Sequence, residues 1–307
     1  MQEPFYSVII PVFNSEKTLE EVSKRVIGLF ESFGSTVELI LVNDDSKDNS
    51  WEVIKRLKEQ YPAQVIGVNL VRNFGQHKAL LCGFKICTGD FLITIDDDLQ
   101  HHPEDIKCLI DEQIQSQADL VYGIYKEKKH SSFRNIGSSI LAMIFINFAN
   151  TPHQGSSFRL LSRYLIDQVK NYDSPYIFLD GLIAWHSRSH SFADIRHEDR
   201  SEGRSGYNVF QLTAYAIQII VTYTTLPLRL IAWLGSLTFL VGLTGVLYFI
   251  YQRYAHGAAL GFAALIASVF LCTGLILLSL GIMGEYISRL FTLQLKQPTV
   301  VIKEILK

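Results

Sequence analysis

Three consecutive carboxylates, Asp96, Asp97 and Asp98, follow an apolar run over residues 91–95. Adjacent negative charges repel one another, and carboxylates are seldom buried without partners. Mg²⁺ and Mn²⁺ prefer oxygen ligands and often share them with substrate phosphates. Residues two apart on an extended chain point to the same side, so Asp96, Asp98 and Gln100 are candidate ligands of one ion. Asp97 then faces elsewhere. The alternative is an acidic turn that caps the following helix.

The segments that position these carboxylates alternate between two hydrophobic patterns. Short apolar runs predict strands, and periodic apolar positions predict helices. Such alternation indicates a parallel sheet with helices on its faces, an α/β fold. Strands are predicted over 6–11, 37–42, 65–70, 91–95, 118–122 and 191–195, with a strand or turn over 155–162. Helices are predicted over 16–33, 50–60, 76–87 and 163–171, and from 179 onward.

Polar residues follow each of the first four predicted strands. In a parallel sheet, ligands bind at the carboxyl ends of the strands, so these residues are expected at one edge. The segments that contain them are Phe13 with Asn14, then 43–46, 72–75 and 96–100. A dinucleotide-binding oxidoreductase would carry G-x-G-x-x-G after the first strand, but residues 11–16 contain no glycine, and no phosphate-binding G-x-x-x-x-G-K-[ST] loop is present. Metal and arginine are the remaining means of binding phosphate.

Arginines recur every four residues in a second polar segment, over 196–207. The planar fork of arginine suits fixed phosphate recognition, and neighbouring glycines allow close backbone approach. The alternative is a solvated loop, because acidic residues are interleaved with Arg196, Arg200 and Arg204. Upstream, the apolar segment 135–150 is compatible with either a core helix or an amphipathic helix on a bilayer.

Composition restricts the class of protein. The 307 residues carry a formal net charge of −2, which gives no indication of nucleic acid binding. The four cysteines lack metal-ligand spacing and are interpreted as reduced packing residues of a cytosol-facing protein. No signal peptide is recognised at the N-terminus. The mean hydropathy of +0.18 is high for a soluble enzyme, and the excess lies after residue 227.

Two long apolar segments, 228–251 and 260–283, predict a transmembrane hairpin, since each exceeds the roughly 20 residues that span a hydrocarbon core. Basic residues on the side of the chain termini place the catalytic domain and the C-terminus in the cytoplasm. The predicted organisation is a catalytic domain over 1–206, an interfacial amphipathic helix over 207–227, the two spans, and a cytoplasmic tail over 284–307. Residues 285–295 are expected to lie along the interface.

Several motifs together carry a resemblance that covers essentially the whole chain. The sequence resembles family 2 glycosyltransferases of the GT-A fold, which has a Rossmann-like nucleotide-binding sheet. Within that family it is similar to bacterial polyprenyl-phosphate glycosyltransferases, including undecaprenyl-phosphate glucosyl and aminoarabinose transferases, and more distantly to dolichol-phosphate mannose synthases. The motifs are Pro11-Val-Phe-Asn, Asn43-Asp-Asp-Ser-Lys-Asp, Arg72-Asn-Phe-Gly-Gln-His-Lys, Asp96-Asp-Asp-Leu-Gln-His-His-Pro-Glu, Phe158-Arg-Leu, Arg200-x-x-Gly-x-Ser-x-Tyr and Met283-Gly-Glu-Tyr-Ile-Ser-Arg.

The resemblance implies roles for individual residues. Asp96, Asp98 and Gln100 would hold Mg²⁺ or Mn²⁺ against the donor diphosphate. Arg200 and Arg204 would join the two aspartates as catalytic residues. The nucleotide sugar would contact Pro11, Phe13, Asn14, Asp44, Asp45, Arg72, Lys78 and Asp97. The phosphates of the donor or the acceptor would contact Ser205 and Tyr207, with Arg159 as a further candidate.

The implied reaction is inverting sugar transfer from a nucleotide sugar, expected to be a UDP-sugar, to undecaprenyl phosphate. The expected location is the bacterial inner membrane, as a multi-pass protein with a cytoplasmic catalytic domain, and relatives suggest a homo-oligomer such as a tetramer. Three departures leave the donor sugar open: Ser157 replaces a family aspartate, Gly206 a lysine and Ser15 a glutamate. The alternatives are a processive polysaccharide synthase, whose Gln-x-x-Arg-Trp motif and extra spans are not found, and an inactive sugar-binding scaffold.

Overall fold

The chain divides into two units, each described by itself. In this computed structural model, residues 4–125, 156–173, 177–195, 226–256, 262–294 and 298–307 are described. The first unit comprises residues 1–205 together with 298–307, and the second comprises residues 206–297. The last ten residues therefore belong with the N-terminal part of the chain and not with the segment that precedes them.

One sheet and six helices form the described part of the first unit. The strands are β1 (Tyr6–Val12), β2 (Val37–Asn43), β3 (Val65–Leu70), β4 (Phe91–Thr94), β5 (Leu120–Tyr125), β6 (Arg159–Ser162), β7 (His190–Ile195) and β8 (Ile302–Leu306). The helices are α1 (Leu19–Ser32), α2 (Ser50–Gln60), α3 (Gln76–Ile86), α4 (Ile106–Ser116), α5 (Arg163–Val169) and α6 (Leu179–His186). A single 3₁₀ turn over Pro103–Asp105 precedes α4.

The eight strands form one mixed sheet in the order β7-β5-β6-β4-β1-β2-β3-β8. The α/β fold is confirmed, and the predicted parallel pairing holds for β1 to β4 and for β5 with β7. It is wrong for β6, which runs antiparallel to β4 and β5, and β8, which was not predicted as a strand, runs antiparallel to β3. Because β6 runs antiparallel to β4, the residues just before β6 lie beside the residues that follow β4.

Apolar side chains on both faces of the sheet form the core. Every residue of β1 is buried, as expected for a central parallel strand. On α1, Leu19, Val22, Val26 and Phe30 recur at helical spacing and are all buried. The ring of Phe30 lies 5.5 Å from that of Tyr6 on β1. Residues of α3 such as Phe84 pack on the opposite face. These layers fix the positions of the strand ends.

The C-terminal strand β8 completes the sheet at the free edge of β3. Gly67 pairs with Leu306, and Leu70 pairs with Ile302. The backbone N–H of Val71 donates to the carbonyl of Val301 at 3.1 Å. A tail was predicted here, but the structure shows a strand. The physical reason is that edge strands leave backbone groups unpaired, and β8 pairs those of β3.

The second unit contains the helices α7 (Leu226–His256) and α8 (Phe262–Gln294). In the described part of the chain, one helical stretch is long and apolar enough to cross a membrane, Cys272–Thr292 within α8. α8 continues as one helix to Gln294, and the expectation that residues 285–295 lie along the interface stays a prediction. Glu285 accepts a hydrogen bond from Nε of Arg289 at 2.9 Å, and this pair one turn apart supports the helix.

Candidate active site

The loops that follow β1, β2, β3 and β4 meet at one edge of the sheet, as predicted. Hydrogen bonds connect each loop to another. The backbone N–H of Asn14 donates to the hydroxyl of Ser46 at 3.0 Å, and that of Phe13 donates to Asp97 at 3.1 Å. The side-chain amide of Gln76, at the start of α3, donates to Asp96 at 2.7 Å. Four separate strand ends therefore build one polar edge, which we call the acidic edge.

Each of the four loops also passes through the left-handed region of backbone space. The φ angles are 56° at Asn14, 57° at Asp45, 90° at Gly75 and 60° at Leu99. Side chains other than glycine rarely adopt this conformation, and such residues cluster at functional sites. Glycine adopts it without strain, so the strained residues are Asn14, Asp45 and Leu99. In the described part of the chain, Gln117 is the only other non-glycine residue with a positive φ, and this concentration supports a functional role for the acidic edge.

Neutral donors hold the first carboxylate, Asp96. Its Oδ1 accepts the bond from Gln76, and its Oδ2 accepts one from the hydroxyl of Ser157 at 2.7 Å. Burial raises the pKa of Asp96, and the charge of Asp98 raises it further, whereas the Ser157 hydrogen bond opposes the rise. The serine that replaces the family aspartate thus orients Asp96 without adding a negative charge beside it.

Asp97 faces the other way, as predicted from its position between two candidate ligands. Its Oδ2 accepts hydrogen bonds from the backbone N–H of Phe13 and from the hydroxyl of Ser15. Burial raises the pKa of Asp97 to about 6, while the Ser15 and Phe13 hydrogen bonds act in the opposite direction. Ser15, another departure from the family pattern, therefore ties the β1 loop to the β4 loop. Contact of Asp97 with a nucleotide sugar stays a prediction.

Asp98 is exposed, and its neighbour Gln100 orients it. The backbone N–H of Gln100 donates to Oδ1 of Asp98 at 3.1 Å, and the side-chain amide of Gln100 donates to Oδ2. The Asp96 and Asp98 carboxylates raise each other's free energy by charge repulsion, which a divalent cation would relieve. Within the described residues, no three His, Cys, Asp or Glu side chains come together as a ligand set. A cation here would take its other ligands from substrate phosphates and water.

Asp44 holds the loop after β3. Its two carboxylate oxygens accept the backbone N–H groups of Phe74 and Gly75, each at 2.7 Å. Burial raises the pKa of Asp44, and these hydrogen bonds oppose that rise. Asp44, predicted to contact the nucleotide sugar, is thus only 3% exposed and engaged with backbone. Asp45 is ion-paired with Lys47 at 2.6 Å.

Two cations lie beside the loop that Asp44 holds. The guanidinium of Arg72 stacks over the ring of Phe74, 4.9 Å from its centroid. Burial lowers the pKa of Lys78, the nearby charge of Arg72 lowers it further, and Asp44 acts in the opposite direction. Arg72 and Lys78 therefore lie close enough for their charges to interact, and the predicted contact of each with the nucleotide sugar stays a prediction. Both charges could meet an anionic ligand at the acidic edge.

The residues after β1 differ in their exposure. Phe13 is 48% exposed, so its ring is open to a planar partner such as a nucleotide base. The side-chain carbonyl of Asn14 accepts the backbone N–H of Lys47 at 2.8 Å. Pro11, however, is buried inside β1, two residues before the edge. Direct contact of Pro11 with a ligand stays a prediction.

Arg159 lies inside the protein, beneath the acidic edge. It is 1% exposed, and its Nη1 donates to Oδ1 of Asp180 at 2.6 Å. Arg159 was predicted to contact phosphate; the structure gives it a carboxylate partner, and the phosphate contact stays untested. Sequence reasoning missed Asp180, in the first turn of α6, and Gln76. Neither belongs to a local acidic motif. Only the tertiary fold brings Gln76 to Asp96, and Asp180 to Arg159.

Four predicted site residues lie outside the described part of the chain. They are Arg200, Arg204, Ser205 and Tyr207. The segment 135–150, for which two interpretations were left open, also lies outside it. Their roles in catalysis and phosphate binding stay predictions.

Two protein-family profiles match the chain. The family described as "Glycosyl transferase family 2" matches residues 7–170, which include the whole acidic edge. The family described as "GtrB C-terminal hairpin" matches residues 226–290, which cover α7 and most of α8. The two profiles correspond to the two units of the structure.

Curated relatives match along almost the whole length of the chain. An undecaprenyl-phosphate 4-deoxy-4-formamido-L-arabinose transferase of Aeromonas hydrophila is 32% identical over 307 residues, covering 98% of this chain and 94% of the relative. The enzyme of the same name from Shewanella sediminis is 29% identical over 307 residues, covering 98% and 92%.

Solved structures share the fold of the first unit. A glucosyl-3-phosphoglycerate synthase from Mycobacterium tuberculosis, crystallised with Mn²⁺, UDP and phosphoglyceric acid, superposes with a TM-score of 0.51 at 18% identity, covering 71% of this chain and 77% of that one. A mannosyl-3-phosphoglycerate synthase from Rubrobacter xylanophilus gives a TM-score of 0.51 at 14% identity, covering 71% and 72%. At this identity, the likeness concerns the fold alone.

Proposed function

We propose that the chain, which belongs to glycosyl transferase family 2, transfers one sugar from a nucleotide sugar to a polyprenyl phosphate. The observation that carries the proposal is the acidic edge, with Asp96 and Asp98 oriented by neutral donors. It stands in a chain whose second unit matches the GtrB hairpin. Relatives named as undecaprenyl-phosphate sugar transferases support the acceptor class, and the nucleotide is expected to be UDP.

The acidic edge would bind the donor diphosphate. The exposed ring of Phe13 is suited to the base, and Arg72 and Lys78 carry positive charge near the loop after β3. Asp96 and Asp98 are the residues that would hold Mg²⁺ or Mn²⁺. When bound, such an ion would neutralise negative charge on the leaving nucleoside diphosphate.

The acceptor needs little activation. A phosphate monoester loses its second proton near pH 6, so its oxygen is already ionised at neutral pH. That oxygen attacks the anomeric carbon, a new carbon–oxygen bond forms with inversion, and the bond to the diphosphate breaks with its electron pair on the leaving group. Arg200 and Arg204 are proposed to stabilise this charge. No carboxylate base is required, which is consistent with serine at position 157.

The hairpin would hold the enzyme beside its lipid acceptor. We place α7 and α8 across the bacterial inner membrane, with the catalytic unit in the cytoplasm and the short link between the helices outside. Confinement to the membrane raises the effective concentration of the lipid without any new chemistry. A homo-oligomer, such as a tetramer, is part of the same proposal.

Two other functions remain as alternatives. A processive polysaccharide synthase would use similar carboxylates but would add many sugars to one acceptor. A membrane-anchored scaffold would bind a nucleotide sugar without transferring it. Both predict products different from a single sugar on a lipid phosphate.

A transfer assay in detergent micelles tests the proposal. The full-length protein is mixed with undecaprenyl phosphate, Mg²⁺ or Mn²⁺, and a panel of UDP-, GDP- and dTDP-sugars that includes UDP-4-deoxy-4-formamido-L-arabinose. One radiolabelled sugar per lipid, extracted into organic solvent, is the expected product. A product of many sugars would favour the synthase, and nucleotide binding without any product would favour the scaffold.

A further inference from the structure

The pairing between β4 and β6 places a buried cation next to the first carboxylate of the acidic edge. Thr94 lies opposite Arg159 in this antiparallel pair. Continuing the register by two residues brings Asp96 opposite Ser157, in agreement with their 2.7 Å hydrogen bond. Because residues two apart on a strand share a face, Arg159 and Ser157 lie on the same side as Asp96.

The guanidinium of Arg159 is bound to Asp180 and not to Asp96. Its Nη1 donates to Oδ1 of Asp180 at 2.6 Å, and the side chain is 1% exposed. Its Nε has no hydrogen-bond partner among the described residues. A guanidinium has five N–H donors, and those that Asp180 and the hydroxyl of Tyr122 leave unused are available to another carboxylate.

Asp96, by contrast, accepts side-chain hydrogen bonds only from neutral groups within the described residues, the amide of Gln76 and the hydroxyl of Ser157. The charges of Arg159 and His101 act on Asp96 without a hydrogen bond. Neutral donors orient a carboxylate and leave its charge available. A guanidinium would orient it as well, but would cancel its charge and compete with any cation for the same oxygens.

We propose that Asp180 is a positioning residue that acts through Arg159: it binds the guanidinium and thereby keeps Asp96 free to bind a divalent cation. This inference rests on the proposed function in taking Asp96 as a cation ligand. It adds that a residue from α6, with no assigned role, determines how strongly the acidic edge binds the ion.

If Asp180 acts through Arg159, its substitution changes cation binding in a way that a purely structural role would not. In Asp180→Asn, Arg159 loses its charged partner and turns its spare donors to Asp96. Mn²⁺ binding in the presence of UDP then weakens by about tenfold, the factor expected when a charge-assisted hydrogen bond competes for one carboxylate. In the double variant Asp180→Asn/Arg159→Met, the competitor is gone and most of the affinity returns, because removing both charges of the pair leaves neither of them unpaired.

The experiment measures Mn²⁺ binding to the full-length protein in detergent with UDP, from the loss of the electron paramagnetic resonance signal of free Mn²⁺. Asp167→Asn is the matched control, since Asp167 forms ion pairs with Arg163 at 3.0 Å and with Lys170 at 2.5 Å, away from the acidic edge. Circular dichroism melting verifies that each variant is folded. Weaker binding in Asp180→Asn, recovery in the double variant and no change in Asp167→Asn support the proposal.

Three outcomes would overturn it. They are unchanged binding in Asp180→Asn, a double variant as weak as the single one, and a wild-type protein that binds no Mn²⁺ with UDP. The transfer assay separates this failure from that of the proposed function. Sugar transfer that persists in EDTA would support the proposed function and contradict the inference about Asp180. Mn²⁺ binding that depends on Asp180, in a protein that transfers no sugar, would support the inference and contradict the proposed function.

Discussion

At the acidic edge, the buried carboxylate of Asp44 binds backbone groups of a neighbouring loop, so it need not contact the ligand itself. Asp44 accepts two backbone N–H groups from the loop after β3, and Arg72 and Lys78 lie beside this loop. An amide in its place has one acceptor oxygen, so one N–H would lose its partner. Asp44 is therefore expected to act on ligand binding by fixing the loop.

Asp44→Asn tests this role. We expect a loss of about 1–3 kcal/mol in the free energy of unfolding, the cost of a buried donor left unsatisfied, together with weaker UDP binding. Chemical denaturation and calorimetric titration measure the two effects. Asp45→Asn is the control, because Asp45 pairs with the exposed Lys47 and should change stability little. An equal loss of stability in the two variants would contradict the account.

The cysteines of α3 and the turn after it provide a second test at this scale. Cys82 and Cys87 are buried free thiols, and burial raises their pKa values to about 11 and about 12. At pH 8, the reactive thiolate of Cys87 is then about one part in ten thousand. We predict that iodoacetamide leaves both residues unmodified in the native protein and modifies both in guanidinium, as read by mass spectrometry. Rapid modification of either in the native state would show that this side of the sheet opens.

Among the elements, β8 shows how a short strand can be overlooked in a sequence. Residues 302–306 form an apolar and charged run of five positions after a long hydrophobic segment, and they were interpreted as a tail. Their pairing with β3 is antiparallel and more than two hundred residues distant in sequence, so no local pattern indicates it. Thr299 adds a buried contact, because its hydroxyl donates to Asp173.

Removal of residues 298–307 should therefore destabilise the first unit. The edge of β3 would lose its partner, and we expect the midpoint of thermal unfolding to fall by about 5 °C, with increased aggregation from the exposed edge. Differential scanning calorimetry of the truncated chain in detergent measures this. Deletion of Lys307 alone, which lies beyond β8, is the control. A truncated chain that melts like the full-length protein would show that β8 is dispensable.

The strands and helices that build the acidic edge could be predicted because their signals are local. The apolar runs predicted β1 to β4 to within one residue at each end, and the polar residues that follow them converge as expected. The contacts of Asp180 with Arg159 and of Gln76 with Asp96 could not be predicted, since tertiary packing alone brings each pair together. The buried state of Arg159 could not be predicted either, because a charged residue on a strand is usually exposed unless it is paired.

For the molecule as a whole, the two units correspond to two tasks, sugar transfer and proposed attachment to the membrane. The proposed topology places the link between α7 and α8 in the periplasm. In a Cys272→Ser background, we predict that a cysteine at Ala255, near the end of α7, reacts with an impermeant maleimide added to intact cells. A cysteine at Lys47, on the first unit, should react only after lysis. Labelling of position 255 only after lysis would contradict the topology.

The most direct test of the central claim is nucleoside diphosphate release by wild type and Asp98→Asn, each with and without undecaprenyl phosphate. The donor is the nucleotide sugar that the panel identifies, and Mn²⁺ is present. Our account predicts release that requires the lipid, that EDTA abolishes, and that falls by at least about a hundredfold in Asp98→Asn, as expected for loss of a group that stabilises transition-state charge. Release at the same rate without lipid, or an Asp98→Asn variant as active as wild type, would contradict it.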